Sequence, residues 1–177
     1  MVMHTRDSIR NRHLQWMNDF SKLIGGLSED EYTRQPGGKW SAAQHLEHLN
    51  KVNRMILLAL RLPVFVLRLV YGRNTGKSRT EAELWDLYQP FSIQGVTAPS
   101  AYVPSSKLLK SRTELREEHM RINSRIADRM MRWTEQDLDA CRVHHPFWKK
   151  ISVRDLLMFN VFHNEHHLKN LRKQLEG

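Results

Sequence analysis

The sequence predicts an all-α protein, a four-helix bundle, on three observations. Four segments carry apolar residues three or four positions apart, and each is bounded by residues that start or stop a helix. No stretch alternates apolar and polar residues at the period of a strand. One long connection lies between the second and third helices, as in bundles with a crossover. A chain of 177 residues fits one domain over positions 1–177, long enough to bury a sizeable core.

The first helix is expected from about Asp7 to Ile24, with Leu14, Met17, Phe20 and Ile24 on one face and Gly25-Gly26 ending it. Ser28 and Glu31 then have the spacing of a capping box, which starts a short turn of helix. Pro36-Gly37-Gly38 breaks the chain before a second box, Ser41 and Gln44, opens the second long helix. Leu49, Val52, Ile56 and Leu60 recur along it, and Pro63 disturbs the pattern beyond. Residues 72–105 form the irregular connection, with a short helix expected around Glu81 to Tyr88. Connections of this length often serve as lids or walls of sites. The third helix is expected from Ser106 to Trp133, with a stripe through Leu115, Met120, Ile126 and Met130. Thr134 caps a turn at Glu135 to Leu138, and an irregular stretch runs to Lys150. Ser152 caps the fourth helix, which continues to about Leu175, with Asp155 favouring its positive end.

Lys and Arg number 28 and Asp and Glu 19, a formal charge of +9. Such an excess favours anionic partners, but the basic residues are scattered among acids along the helices, as on a solvated surface. Nucleic acid is therefore not the expected partner. The stretch from Met55 to Tyr71 is interrupted by Arg61, Pro63 and Arg68 and is short for a membrane span. The first ten residues lack the apolar core of a signal peptide. Cys141 is the one cysteine. It excludes an internal disulfide and reads as a small, half-buried residue in a reducing, cytoplasmic setting.

Chemistry concentrates in His163-Asn164-Glu165-His166-His167. Residues four apart on a helix lie about 40° apart around its axis, so His163 and His167 share a face beside Leu156, Leu157 and Leu168. Two imidazoles one turn apart grip one ion; placed on an apolar face, they equally fit plain core packing. His48 strengthens the first reading, because it shares a face of the second helix with Val52, Met55 and Ala59. Unpaired buried imidazoles are costly, and a shared metal satisfies all three. Three neutral nitrogens with an open position suit one divalent ion, Zn²⁺, Ni²⁺ or Fe²⁺. Glu47 and Glu165 project away from that set, by roughly 100° for Glu47. His166 points about 100° from His167, toward solvent. No residue identifies itself as a general base or nucleophile. Trp40 reads as a packing staple. Trp85, Tyr88 and Tyr102 are pocket candidates, and His144-His145 is a loop pair that could form a second metal site.

The run Gly37-Gly38-Lys39-Trp40-Ser41 followed by His48-Leu49, and the later pair His163 and His167 before Leu168, resemble the DinB-like superfamily, which includes the YfiT-type metal-dependent hydrolases. Pro99 and Pro104 before the third helix, the Thr134 to Leu138 turn, and Ser152-Val153-Arg154-Asp155-Leu156 agree, so the resemblance spans nearly the whole chain. It implies a bundle in which His48, His163 and His167 bind the metal, and a homodimer formed through helices. It also implies action on a small molecule, as a hydrolase or as a transferase using a low-molecular-weight thiol. The chain departs at Asn164, where an Asp is common. The alternative reading is a non-catalytic, stress-related module that meets an acidic partner through its basic surface.

Overall fold

A computed structural model of the chain describes residues 4–76, 78–93, 98–105 and 110–176, the side chains of 91–93 excepted. Four long helices form the bundle: α1 (Arg6–Gly26), α3 (Ala42–Arg61), α6 (Arg112–Met130) and α8 (Val153–Glu176). Shorter helices α2 (Glu29–Thr33), α4 (Val64–Tyr71), α5 (Glu81–Ile93) and α7 (Glu135–Ala140) fill the connections. Helix α6 packs on α1 and α3, and so does α8, which leaves α1 diagonal to α3. The capping residues act as local chemistry dictates. The Ser28 and Ser41 hydroxyls accept from the Glu31 and Gln44 amides, and those side chains return to the cap N–H groups.

Three expectations need correction. The third helix begins at Arg112, because Ser111 and Glu114 form a capping box there. Residues 106–109 of the expected helix lie outside the described residues, and the helix ends at Met130 rather than Trp133. The stretch after α7 contains strands, against the expectation of none. β1 (Arg142–His145) pairs antiparallel with β2 (Lys149–Ser152), Val143 opposite Ile151. Four-residue strands are too short to leave a readable alternation, and Lys149 closes the turn at φ 58°. Finally, Met55 is 47% exposed although His48, two turns earlier on that face, is buried. The outer half of α3 borders a cavity there instead of the core. The hairpin packs on α8, and β1 also packs on α4. Helix α4 buries Leu67 and leaves Phe65, Leu69 and Val70 exposed.

The apolar core falls into two clusters. One holds Ile9, Ile56, Ile122 and Phe162 toward the hairpin; the other holds Trp16, Phe20, Leu49, Leu115 and Leu168. Each long helix crosses from one to the other through buried polar residues: His13 on α1, Asn53 on α3, His119 and Asn123 on α6, Asn164 on α8. His13 Nε2 lies 3.3 Å from the Asn123 carbonyl, and the Asn123 side-chain amide lies 3.2 Å from His119 Nδ1. Beside the hairpin, buried Arg154 holds Asp139 through Nε at 2.5 Å and Nη2 at 3.0 Å. Its Nη1 donates to the His4 carbonyl at 2.6 Å, tying the start of the chain to α8. Among the described residues, no helix is long and apolar enough to cross a membrane.

Candidate metal centre

Helices α3 and α8 pack side by side, and the structure brings His48, His163 and His167 together at that seam. His48 Nε2 lies 3.2 Å from His163 Nε2, and His167 Nε2 lies 3.1 Å from the same atom. A possible ligand atom from each of the three falls within 4.8 Å of the others. Metal–nitrogen bonds of about 2.0–2.1 Å at tetrahedral angles place neighbouring nitrogens about 3.3 Å apart, close to the two measured edges.

The outer ring nitrogen of His48 decides its protonation. His48 Nδ1 donates to the Tyr102 carbonyl at 2.7 Å, which leaves the Nε2 lone pair facing inward. His167 Nδ1 lies 2.8 Å from His45 Nδ1, and the tautomer in which His167 is the donor frees its Nε2 lone pair in the same way. His163 Nε2, carrying at most one proton, cannot answer both inward lone pairs. At least one therefore meets nothing but other nitrogens, a polar mismatch that a cation removes. Burial holds His163 and His167 well below the usual imidazole range, and neighbouring histidines push the same way. Burial also lowers His48, against the opposing effect of its bond to Tyr102. All three are neutral at pH 7, the form that ligates. The residues present thus fit a divalent ion.

The connection before α6 sets this geometry. Glu47, turned away from the histidines as its spacing requires, accepts from Ser105 N at 3.0 Å and Ser105 Oγ at 2.9 Å. Lys51 donates to the Val103 carbonyl at 2.8 Å. Together they hold the 102–105 strand of chain against α3 and present the Tyr102 carbonyl to His48. Trp40 lies parallel to the His167 ring, with centroids 6.1 Å apart, and 4.8 Å from the His48 ring. Its packing is therefore on the histidine set itself. Glu165 pairs with Arg12 through both oxygens at 2.9 Å.

His45 was missed by the sequence reading. It sits three residues before His48 on α3, is buried, and is lowered to about 4 by burial. The i, i+3 spacing was legible, but its approach to His167 follows from where α8 lies. His166 is half-buried rather than solvated; the Asn170 side-chain amide lies 2.8 Å from its Nε2. Tyr88 and Tyr102 line the cavity beside the histidines, whereas Trp85 packs on Phe162. His144 and His145 stand on β1 at the cavity wall, and no second group of three metal-ligating side chains occurs among the described residues. Cys141 is fully buried, and burial pushes its thiol up.

A family model, the DinB superfamily, matches residues 13–171. The chain belongs to the DinB superfamily. Two solved structures share the fold of this DinB chain. TT2238, a four-helix bundle protein, is 15% identical, with TM-score 0.61, 96% of this chain and 99% of that one covered. YfiT from Bacillus subtilis, described as a probable metal-dependent hydrolase with an unusual four-helix bundle topology, is 12% identical. Its TM-score is 0.64, and the alignment covers 99% of this chain and 90% of that one. No curated protein matches significantly.

Proposed function

We propose that this DinB-superfamily chain is a metal-dependent enzyme of the hydrolase class, acting on a small molecule, with His48, His163 and His167 as the ligands of one divalent ion. The observation that carries this reading is the pair of 3.1 and 3.2 Å approaches between neutral, inward-facing Nε2 atoms. A bound ion supplies Lewis acidity, which polarises a carbonyl or lowers the pKa of water toward ~7. His45 and the Tyr102 carbonyl orient the ligand rings, and Trp40 covers them from one side. Zn²⁺, Ni²⁺ and Fe²⁺ all suit three imidazoles, with zinc the first to test. The description of YfiT as a probable metal-dependent hydrolase supports the hydrolase branch over the thiol transferase. A reducing, cytoplasmic setting suits the lone buried thiol. The exposed apolar side chains of α4 support a homodimer.

Metal analysis of protein purified without chelator or nickel resin tests the reading, alongside the His163→Ala/His167→Ala double variant. About one ion per chain, absent from the variant, is expected from a three-histidine set with an open position. No metal in either protein after reloading would overturn it. Ester hydrolysis that follows metal content through removal and return distinguishes an enzyme from a metal-binding module.

A further inference from the structure

The three histidines line a cavity of about 570 Å³, within the range of small-molecule sites. Lys, Arg, Asp and Glu are abundant in this chain, yet none of the described residues lining the cavity is one of them. Its walls include Ile56 from α3, Leu67 from α4, Leu156 and Phe159 from α8, and Phe147 and Trp148 from the hairpin turn. A carboxylate or ammonium held against these walls, away from the histidines, would lose its water and meet no counter-charge.

Asn160 also lines the cavity, three residues before His163 on α8. The residue is buried, and neither its Nδ2 nor its Oδ1 has a partner. Among the described lining residues outside the three-histidine set, no other has a buried polar side-chain atom without a partner. A buried amide left unpaired costs free energy that a ligand removes by hydrogen bonding to it. Among the other lining residues, His145 Nδ1 accepts from the Phe147 N–H at 3.3 Å, so its neutral ring carries the proton on Nε2, a donor.

We propose that this cavity binds an uncharged, largely apolar molecule bearing one carbonyl-type head group, and that Asn160 hydrogen-bonds that head beside the histidines. The head's place rests on the metal reading above; the apolar, charge-free body of the site does not. A thiol whose carboxylates lie against the apolar walls meets the same cost, which favours a neutral ester or amide as substrate.

Calorimetric titration of the zinc-loaded protein with hydroxamates tests the substrate class. Octanohydroxamate is expected to bind at least about 100-fold more tightly than acetohydroxamate, because its extra methylenes leave water. Succinic monohydroxamate is expected to bind at least about tenfold more weakly than butyrohydroxamate, which it matches in length while adding a carboxylate. An added tail that contributes nothing, or a carboxylate that is tolerated, overturns the proposal, and neither comparison needs a variant. Metal-free protein titrated with the neutral fluorophore N-phenyl-1-naphthylamine separates the two readings. Fluorophore binding without binding of any hydroxamate to zinc-treated protein rejects the metal and keeps the apolar site; no fluorophore binding rejects the site. Asn160→Leu is expected to weaken butyrohydroxamate about tenfold, with zinc content and fluorophore binding unchanged. Equal affinity in that variant removes Asn160 from the proposal.

Discussion

Acidification should destabilise this protein through the buried polar residues that divide its core, and His13 gives the clearest measure. It is fully buried, facing His119, Trp16 and the Asn123 carbonyl. Burial lowers its pKa from 6.5 to about 4, the bond to the Asn123 carbonyl opposing only part of that. The folded state therefore keeps His13 neutral at pH 5, while the unfolded chain protonates it below about 6.5. Protons favour the unfolded state across that window, so stability is full above pH 6.5, falls with acidification, and levels off below about 4. From pH 7.5 to pH 5 the group crosses about 1.5 units below its unfolded value, and each unit corresponds to about 1.4 kcal/mol, so His13 alone removes about 2 kcal/mol. His119, lowered to about 3 by burial, adds a similar amount over the same interval. Urea unfolding of metal-free protein at the two pH values, for the wild type and His13→Leu, isolates one group. The variant should lose about 2 kcal/mol less on acidification. An equal loss in both proteins would refute the assignment of a neutral, buried His13.

His45→Phe should lower zinc affinity about 10- to 100-fold without unfolding the bundle, as removal of outer partners of metal ligands commonly does; competition with a zinc-binding dye reads the change. Asp139→Ala strips buried Arg154 of its bonds from Nε at 2.5 Å and from Nη2 at 3.0 Å, leaving Glu135 as its remaining carboxylate partner. It should cost about 3 kcal/mol in the same urea assay. Sedimentation of the wild type should give a dimer and Leu69→Glu a monomer, since Leu69 is 83% exposed on α4; a monomeric wild type would end the dimer reading. Duplex DNA should not be bound at ~150 mM salt, because a scattered positive charge gives screened, non-specific attraction.

The helix starts were legible because capping is local. Ser28 with Glu31 and Ser41 with Gln44 meet within one turn, so their spacing alone specifies the bonds they make. The shared face of His163 and His167 was legible for the same reason, since helical geometry fixes the angle between residues four apart. His48 joined them through the face it shares with Val52 and Ala59 on the second helix, and the DinB-like motifs agreed. The hairpin was hidden because Val143 and Ile151 are each flanked by only a few strand residues, and their pairing joins separate segments. The start of α6 was misplaced because apolar periodicity was followed past the Ser111 cap.

What the tertiary structure alone decided is which atoms answer the histidines. Tyr102 reaches His48 from 54 positions away, and His45 reaches His167 across 122. The cavity draws its wall from α3, α4, α8 and the hairpin, so no segment of sequence carries its shape or its lack of charge. Local spacing determines helices and the faces of side chains, because those depend on a few neighbouring dihedrals. Convergence of nitrogens to within 3.2 Å depends on how two helices far apart in the chain are packed, and that is set by the burial of the whole core.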